Sequence, residues 1–369
     1  MINKKIYNVI GVMSGTSMDG LDCSLIKSDG INYCKVVYEH SFKYSTNYQK
    51  KLKKLVNIFP SIKNNKKNYL IEYEEFITKE ITRIIIKFID KSKYNYRKID
   101  LIGFSGQTVY HNPKKKISIQ LGSGQKLFEK IKIPIISNFR DKDILYGGQG
   151  APIGCFYHKY LIKKINRNSA IINIGGVSNI TLFTKNKLVG YDLGPGNALI
   201  DDLTYYFYKK KFDNKGFYAQ NGNIIPKIMH KFKKNNFFKK KYPKSLDRNH
   251  FVKIFNDLKL FKPNDSIHTA SLMTAYGILK GLKSIDKKIH LIIFTGGGRK
   301  NNFIINEIKK SLNIKKIELI NIDKFGYNGD MIEAQMFGYL AIRSLKKLPI
   351  SVPSMTGVKK TVSGGIIYR

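Results

Sequence analysis

Apolar and polar positions alternate from the start of the chain in a way that predicts β-strands. The stretch KIYNVIGV (5–12) is a mostly apolar strand, and in the next strand Leu21, Cys23 and Leu25 face one way while Asp22 faces the other. A turn and a third strand follow. The chain is therefore predicted to open with an antiparallel meander of three strands.

Helical periodicity follows the meander. Residues 47–94 form a helical region whose clearest amphipathic piece is YLIEYEEFITKEITRIIIKFI (69–89). The elements predicted after it are the strands IDLIGFSGQTVYH and ISIQLGS, the helix GQKLFEKIK and the strand IPIISNF. A meander followed by alternating helices and strands predicts an α/β unit.

The same pattern recurs in the second half. Residues 169–199 predict another meander of three strands, and helices alternate with strands from there to the final helix GDMIEAQMFGYLAIRSL (329–345). We interpret the recurrence as an internal duplication with its boundary near 163–168. The predicted organisation is an N-terminal α/β lobe (1–168), completed by the C-terminal segment 330–369, and a second lobe over 169–329.

The formal net charge of +40 raises the possibility of a nucleic-acid or other polyanion ligand. Lysine is spread over the whole length, however, and the dense runs at 61–68 and 231–245 are typical of solvated helix faces or loops. We therefore predict no nucleic-acid partner, while expecting the charge to attract small anions. A polyanion-binding protein stays as an alternative.

The cysteine content and the length of the apolar runs indicate the cellular compartment of the protein. Cys23, Cys34 and Cys155 are odd in number and widely spaced, so neither a disulfide framework nor a zinc site is indicated, and we expect a cytoplasmic protein. No apolar run approaches the ~18 residues that span a bilayer, so no membrane association is expected.

Two glycine turns, SGTSMDG (14–20) and NIGGVSN (173–179), lie in the first hairpin of each half. Glycine lets a backbone approach an anion closely and direct its N–H groups toward it. Because each loop joins two strands, neither fits a Walker or Rossmann loop, which runs from strand to helix. For either loop alone a tight β-turn is the alternative, but the pair predicts two phosphate-binding loops, with Gly175, Gly176 and Asn179 in the second.

Two further motifs complete a nucleotide-binding pattern. In GGGR (296–299), Gly296, Gly297 and Gly298 follow an apolar strand and are predicted to admit a base or sugar on the adenosine side. The carboxylate of Asp19 is predicted to hold Mg²⁺ through water. A plain strand-to-helix turn is the alternative for the glycine run.

Asp192 is the predicted general base. It lies in GYDLGPGN (190–197), at the end of a strand and before a stiff Gly-Pro-Gly turn that leads to a helix capped by Asn197. A carboxylate fixed in this way is suited to taking a proton from a nucleophile. An aspartate that caps its own turn is the alternative.

Other polar residues at strand and helix ends are candidates for the sugar side. Gln107 and Thr108 suit sugar hydroxyls, Arg140 suits a carboxylate or phosphate, and Glu333 follows a glycine-containing loop at the start of the last helix. His111 lies on the same strand as Gln107, and the histidines show no metal-ligand spacing. Together these residues predict an ATP-dependent phosphotransferase or ATPase of the actin-like kind, with the nucleotide between two lobes.

Several motifs resemble the signatures of the anhydro-N-acetylmuramic acid kinases. They are GVMSGTSMDGLD, GQTVYHNP, GGQGAP, NIGGVSNIT, GYDLGPGN and EAQMFGYLA, which occur from residue 8 to about 365 in the order and spacing of the family. The resemblance implies a two-lobed α/β fold of the actin-like, duplicated ribonuclease H-like kind with an interlobe cleft. It also implies a homodimer, and ATP-dependent conversion of 1,6-anhydro-N-acetylmuramic acid and water to N-acetylmuramic acid 6-phosphate in peptidoglycan recycling.

The resemblance also implies residue roles. Asp192 is the catalytic base, and Gln107, Thr108, Arg140 and Glu333 line the sugar side. The ATP phosphates are bound by the run Gly15, Thr16, Ser17, Met18, Asp19, Gly20, Leu21 and Asp22.

The chain departs from the family pattern at two places. Ser105 stands where the family usually has His, and PKSLDR (243–248) replaces PKSTGR, so the roles of Lys244 and Arg248 as ligand contacts stay open. The alternative within the same superfamily is a kinase of an ordinary free sugar, one that has a free 6-hydroxyl.

Overall fold

The computed structural model describes residues 5–15, 17–59, 67–112, 115, 117–283, 289–312 and 317–369. The chain divides into two units. The first contains the residues up to Tyr160 together with Met331–Arg369, and the second is Leu161–Asp330.

Both units contain strands and helices. The strands are β1 (Tyr7–Ser14), β2 (Gly20–Ser28), β3 (Cys34–Lys43), β4 (Leu101–Asn112), β5 (Ile117–Leu121), β6 (Ile135–Ser137), β7 (Ser169–Ile174), β8 (Val177–Thr184), β9 (Lys187–Pro195), β10 (Leu291–Thr295), β11 (Glu318–Asn321) and β12 (Ile366–Tyr368). The helices are α1 (Thr46–Ile58), α2 (Lys67–Ser92), α3 (Gly124–Ile131), α4 (Asp141–Leu145), α5 (Cys155–Ile165), α6 (Ala198–Tyr208), α7 (Phe217–Gln220), α8 (Pro226–Lys233), α9 (Val252–Leu258), α10 (Pro263–Leu282), α11 (Asn302–Leu312), α12 (Ile332–Leu345) and α13 (Pro353–Thr356).

The first unit is built on a mixed sheet with the order β12-β6-β4-β1-β2-β3, in which β5 also pairs with β4. Strands β1, β2 and β3 are an antiparallel meander, whereas β4 runs parallel to β1 and β6 parallel to β4. The antiparallel strand β12 closes the edge beside β6. The predicted meander and the parallel strands that follow it are therefore confirmed.

The second unit repeats this arrangement in a sheet of order β11-β10-β7-β8-β9. Its meander is β7, β8 and β9, and β10 and β11 run parallel to β7. Each sheet thus places the first meander strand between the second meander strand and a parallel strand. The predicted α/β fold of the duplicated ribonuclease H-like kind is confirmed in both units.

Helix α12 explains why both faces of β2 are covered. Leu21, Cys23 and Leu25 lie in the core with α1 and α2, as their alternation predicts. On the opposite face α12 packs so closely on β1 that a Cβ added at Gly11 would lie 1.8 Å from the Ala334 carbonyl oxygen. A helix from the end of the chain therefore completes the first unit.

The core of the second unit is assembled from long apolar elements around its sheet. Helix α10 packs on β9, where Gly277 lies against the backbone of Leu193 and Gly194. The phenylalanines Phe232, Phe237 and Phe238 join this core. Small residues on α10 permit the close approach of helix and strand.

The lysine-rich run 231–245 has the solvated character that its composition predicts. Its lysines up to position 241 are exposed, while its phenylalanines point inward. Most of the other dense run, 61–66, lies outside the described residues, as does part of the predicted helical region. No helix in the part of the chain that the structure describes combines the length and apolarity that crossing a bilayer requires.

Candidate active site

The first glycine loop connects β1 to β2 at one end of the first sheet. The Met18 N–H donates to the Gly15 carbonyl oxygen at 3.1 Å, and Met18 has a φ of +57° with its side chain buried. The Ser17 hydroxyl donates to Asp19 Oδ1 at 2.5 Å, and both side chains are exposed. The loop is thus a tight turn with a hydroxyl and a carboxylate on its outer side. Thr16 lies outside the described residues.

The other residues predicted in this loop belong to the strand that follows it. Gly20 lies against the backbone of Phe42, since a Cβ there would be 2.5 Å from the Phe42 carbonyl oxygen. Leu21 is fully buried in the core, and Asp22 is half-buried in register with Met13. Gly20 and Leu21 therefore have packing roles.

A buried hydrogen-bond network holds the start of the loop. The Ser14 N–H donates to Ser105 Oγ at 3.1 Å, and the Ser14 hydroxyl donates to Gln107 Oε1 at 2.5 Å and lies 2.8 Å from the Tyr44 hydroxyl. Gln107 also donates to the Gly15 carbonyl oxygen at 3.5 Å. With 1% of its surface exposed, Gln107 supports the loop directly.

Arg140 and His111 form a second polar group in the first unit. Arg140 donates to the Gly150 carbonyl oxygen at 2.7 Å from its position before α4. His111 Nδ1 lies 3.0 Å from Ser118 Oγ, while its buried Nε2 has no hydrogen-bond partner among the described residues. Burial, together with the charge of Arg140, lowers the pKa of His111 to about 3, so its imidazole is neutral. Thr108, which lies on the same strand as His111, is half-buried.

Glu333 lies in the first turn of α12 and is half-buried. One half-turn further along, Gln335 donates to Glu39 Oε1 at 2.7 Å and accepts a hydrogen bond from the Tyr157 hydroxyl at 2.5 Å. Ser24 donates to the same Glu39 oxygen at 2.9 Å. These bonds fix the helix that carries Glu333 to the sheet beneath it.

In the second unit the glycine turn and the Gly-Pro-Gly turn contact each other. The N–H groups of Gly196 and Asn197 donate to the carbonyl oxygens of Gly176 and Gly175, at 3.0 and 2.7 Å. A Cβ at Gly196 would lie 2.1 Å from the Gly175 carbonyl oxygen. Asn197 occupies the N-cap position of α6, as predicted, but its side chain makes no capping hydrogen bond, and its amide instead donates to the Ile174 carbonyl oxygen at 3.3 Å.

The GGGR run lies beside the same turn. A Cβ at Gly296 would be 2.3 Å from Asn173 Oδ1, and one at Gly298 would be 2.2 Å from Ile174 Cγ2. At Gly297, between them, an added Cβ would have Asn197 Nδ2 as its nearest neighbour, at 3.5 Å. The structure therefore brings together the glycines of the predicted second phosphate loop and those predicted for the adenosine side.

Asp192 is buried on β9 and lies directly opposite Asn179 in the register of β8 and β9. Its carboxylate Oδ2 accepts a hydrogen bond from the Leu246 N–H at 2.7 Å, and its own N–H donates to the Lys244 carbonyl oxygen at 2.9 Å. Two residues predicted from separate motifs, Asp192 and Asn179, are thus neighbours. The contribution of residues 244–246 was missed, because no local pattern links them to β9.

Three of the predicted loop glycines are not required by the packing of the protein itself. An added Cβ would come no closer than 3.4 Å at Gly15, 3.6 Å at Gly175 and 3.5 Å at Gly297, and all three distances are ordinary contacts. Glycine at these positions leaves open space in which a ligand group such as a phosphate can approach the loop backbone. These three loop positions therefore have free space beside the backbone.

Sequence reasoning also missed the ion pairs that anchor the GGGR run. Arg299 is 3% exposed, and its guanidinium donates to both carboxylate oxygens of Asp323 and, at 2.7 Å, to Asp330. The hydrogen bond from Arg299 lowers the pKa of Asp323 to about 2. The sequence does show an arginine directly after the three glycines. Its two acidic partners lie more than 20 residues further along the chain, so no local pattern predicts the ion pairs.

The exposed Asp19 carboxylate beside Ser17 Oγ fits a Mg²⁺ ion held through water, since Mg²⁺ commonly uses one or two carboxylates and keeps several waters. No group of three or more His, Cys, Asp or Glu side chains that could hold a metal ion occurs among the described residues.

Comparison with known proteins gives a match over nearly the whole chain. The family profile described as anhydro-N-acetylmuramic acid kinase matches residues 7–369. The anhydro-N-acetylmuramic acid kinase of Rhodopseudomonas palustris (strain HaA2) is 35% identical, covering 99% of this chain and 100% of its own length. That of Pelagibacter ubique (strain HTCC1062) is 38% identical, covering 99% of both chains.

Among solved structures, component A of the (R)-2-hydroxyglutaryl-CoA dehydratase from Acidaminococcus fermentans is similar with a TM-score of 0.46 and 12% identity. The similarity covers 91% of this chain and 99% of that one.

Proposed function

The chain belongs to the anhydro-N-acetylmuramic acid kinase family, and we propose that it opens the 1,6-anhydro ring of anhydro-N-acetylmuramic acid with water while phosphorylating O6 from ATP. The products are N-acetylmuramic acid 6-phosphate and ADP, which places the reaction in cell-wall recycling. The observation that carries the proposal is the buried carboxylate of Asp192, held in register with Asn179 close to the Gly175–Gly176 turn.

We propose that the glycine loops bind ATP. Backbone N–H groups of the turns at Gly15–Asp19 and Gly175–Gly176 would receive the phosphates, and Gly296–Gly298 would lie on the adenosine side. The space at Gly15, Gly175 and Gly297 supports this assignment. The supporting bonds from Gln107 and Ser105 would preorganise the first loop, so that little ordering is left to the ligand.

Mg²⁺ would be held by Asp19 through water, next to the Ser17 hydroxyl. When bound, it supplies positive charge that neutralises the phosphate oxygens during transfer.

We propose that Asp192 acts as the general base. It takes a proton from a water molecule, and the water oxygen forms a bond to C1 of the sugar. The C1–O6 bond breaks with its electrons on O6, which attacks the γ-phosphorus, and ADP leaves with the electrons of the broken P–O bond. Transfer of the phosphoryl group to O6 thus replaces the proton that a glycosidase acid would deliver.

We propose that Thr108, Arg140 and Glu333 bind the sugar, and that Gln107 contributes by supporting the first glycine loop through its hydrogen bonds. Arg140 suits an anionic group of the substrate, and the neutral imidazole of His111 beside it adds no competing charge. We also propose that the protein is a cytoplasmic homodimer, as expected of this family and of an ATP-consuming enzyme.

The test combines an assay with one substitution. The purified protein is incubated with ATP, Mg²⁺ and anhydro-N-acetylmuramic acid in ¹⁸O-labelled water, and the 6-phosphate is trapped before anomeric exchange. We expect the label at C1. We also expect Asp192→Asn to retain ATP binding while turnover falls by ~10²–10⁴-fold, the usual contribution of a general base.

Asp257→Asn is the matched control, because Asp257 is a surface carboxylate of the same unit that pairs with Lys231 at 2.6 Å. It should leave turnover unchanged. Near-normal turnover of Asp192→Asn would remove Asp192 from its role. A phosphorylated product without label at C1 would show that an existing hydroxyl was phosphorylated with the anhydro ring intact, which is ordinary sugar-kinase chemistry and contradicts the proposed ring opening.

A further inference from the structure

The glycine-rich loop 147–150 of the first unit is folded around the carboxylate of Asp143, which lies in α4 just before it. The Asp143 residue is 1% exposed, and its Oδ1 accepts a hydrogen bond from the Gly150 N–H at 2.7 Å. The Gly148 N–H donates to the Asp143 backbone carbonyl oxygen at 2.8 Å. A Cβ at Gly148 would lie 2.1 Å from Asp143 Oδ1, so the loop backbone is packed directly on the carboxylate.

The second oxygen of this carboxylate is held by the C-terminal segment of the chain. The hydroxyl of Thr356, which is fully buried at the end of α13, donates to Asp143 Oδ2. The carbonyl oxygen of the same threonine accepts the Gln149 N–H at 2.9 Å. Because each oxygen of Asp143 has its own donor, the orientation of the carboxylate is fixed from two separate elements.

Gly150 links this carboxylate to Arg140. Its N–H donates to Asp143, and its carbonyl oxygen accepts a hydrogen bond from Arg140 Nη1 at 2.7 Å. Arg140 lies immediately before α4 and is half-buried, whereas Asp143 and Gly150 are buried. A guanidinium group is planar, and its N–H donors have fixed directions relative to one another. A carbonyl oxygen that holds one donor therefore determines where the other donors point.

We propose that Asp143 is a positioning residue, which fixes through Gly150 the direction in which Arg140 presents its guanidinium group to the carboxylate of the substrate. The inference rests on the proposed role of Arg140 in binding the sugar. The anionic group of anhydro-N-acetylmuramic acid is its lactyl carboxylate, and a guanidinium binds a carboxylate most strongly through two parallel N–H donors. A guanidinium that is already oriented also loses less side-chain freedom when the sugar binds.

Calorimetric titration with anhydro-N-acetylmuramic acid and steady-state kinetics test this role. In Asp143→Ala the Kd and the KM of the sugar should rise ~5–50-fold, the loss expected when a hydrogen bond to a charged group is weakened. The KM for ATP and kcat should stay within ~2-fold of wild type, because only binding of the sugar is affected. Asp143→Asn keeps an acceptor for the Gly150 N–H and an amide that the Thr356 hydroxyl can accept from, so it should restore most of the affinity.

A double-mutant cycle determines whether Asp143 acts through Arg140. Arg140→Gln should weaken sugar binding ~10–100-fold, and adding Asp143→Ala to it should cause little further loss, because the group that Asp143 orients is gone. Losses that multiply in the double variant would overturn the inference, since they would show that the two residues act independently. Wild-type affinity in either single variant would overturn it as well.

Asp29→Ala is the matched control. Asp29 belongs to the same unit, and its Oδ1 likewise accepts backbone N–H groups, those of residues 31–33, at 2.8–2.9 Å. This variant should unfold at a lower temperature without any change in sugar affinity. A loss of affinity in Asp29→Ala as large as that in Asp143→Ala would attribute both to general destabilisation and overturn the inference.

Thr356→Val provides the test if Asp143→Ala fails to fold, which thermal unfolding shows. Valine keeps the shape of the threonine side chain but removes the hydroxyl that holds Asp143 Oδ2. Sugar binding should then weaken ~2–5-fold, with the KM for ATP unchanged. Wild-type sugar affinity in folded Thr356→Val would in that case overturn the inference.

A further readout needs neither sugar nor turnover. The ¹⁵N signal of the Arg140 side chain is identified by its loss in Arg140→Gln, and its order parameter is measured by NMR relaxation. The order parameter should fall in Asp143→Ala and keep its wild-type value in Asp143→Asn, and an unchanged value in Asp143→Ala would overturn the inference. If sugar affinity and side-chain order both fall in Asp143→Ala while the wild-type protein makes no 6-phosphate, the proposed reaction fails and the positioning of Arg140 stands.

Discussion

At the scale of single residues, glycine serves two different purposes in the second unit. Gly175 has room for a side chain, whereas Gly196 is buried where a Cβ would lie 2.1 Å from the Gly175 carbonyl oxygen. The sequence predicts that both belong to tight turns. It cannot separate the glycine that a ligand needs from the one that packing needs, because that distinction depends on contacts between two distant turns.

Substitution by alanine should separate these purposes. Gly175→Ala is expected to leave the free energy of unfolding within about 0.5 kcal/mol of wild type, since its nearest contact would be ordinary, and to weaken ATP binding ~10-fold or more by filling the approach to the backbone. Gly196→Ala should destabilise the protein by about 1–3 kcal/mol through overpacking. Urea unfolding and calorimetric ATP titration measure the two effects.

The prediction is contradicted if Gly175→Ala unfolds as easily as Gly196→Ala, or if it binds ATP with wild-type affinity. The first result would give Gly175 a packing role, and the second would remove the turn from nucleotide binding.

At the scale of elements, the contact of α12 with the first sheet depends on polar groups in a buried layer. The alternation in β2 correctly predicts a polar face, but that face is covered by a helix more than 300 residues away in the chain. Ser24 and Gln335 both donate to Glu39 there. Burial raises the pKa of Glu39, and the two donors lower it. The ionised carboxylate is thus tolerated because α12 supplies a partner.

Gln335→Met should therefore destabilise the protein in a pH-dependent way. A raised pKa in the folded state means that protonated Glu39 favours folding and that this stability is lost as pH rises through the folded pKa. Without Gln335 the ionised form loses a donor, so we expect a loss of about 1–3 kcal/mol at pH 7 and a smaller loss near pH 4.5. Urea unfolding at both pH values measures the difference.

Gln125→Met is the control for this substitution. Gln125 donates to Glu129 at 3.2 Å on the exposed face of α3, so it should change stability little at either pH. Equal destabilisation of Gln335→Met at the two pH values would show that the lost packing, and not the carboxylate, determines its effect.

At the scale of the whole molecule, the strands β6-β4-β1-β2-β3 of the first sheet have the same order as the five strands of the second, and the repeated meander predicts this repeat from the sequence. Local patterns also identified the glycine loops and Asp192. They did not reveal that Lys244 and Leu246 hold Asp192, or that Arg299 is bound to Asp323 and Asp330. Such contacts join segments distant in sequence, where no periodicity or turn signal records the pairing.

The net charge of +40 also acts on the molecule as a whole. Because the lysines of the 231–241 run are solvated, we expect the charge to raise the encounter rate with anionic substrates without forming a polyanion site. Raising ionic strength from 0.05 to 0.5 M should then lower kcat/KM by about threefold or more while kcat stays constant, since screening shortens the reach of exposed charges.

An equimolar addition of single-stranded RNA at 0.15 M salt accompanies this measurement and should leave turnover unchanged. Strong inhibition that disappears at high salt would indicate that RNA occupies a binding surface on the protein.

The position of α12 in the chain has a consequence for biosynthesis. Residues 332–345 emerge from the ribosome after the entire second unit, yet they cover the sheet made from the first residues, and Arg343 donates to the Gly30 carbonyl oxygen at 2.9 Å. The nascent chain must therefore carry this sheet face uncovered while some 170 further residues are translated. The half that is made first is the half that finishes folding last, and during that interval it is a natural client for chaperones.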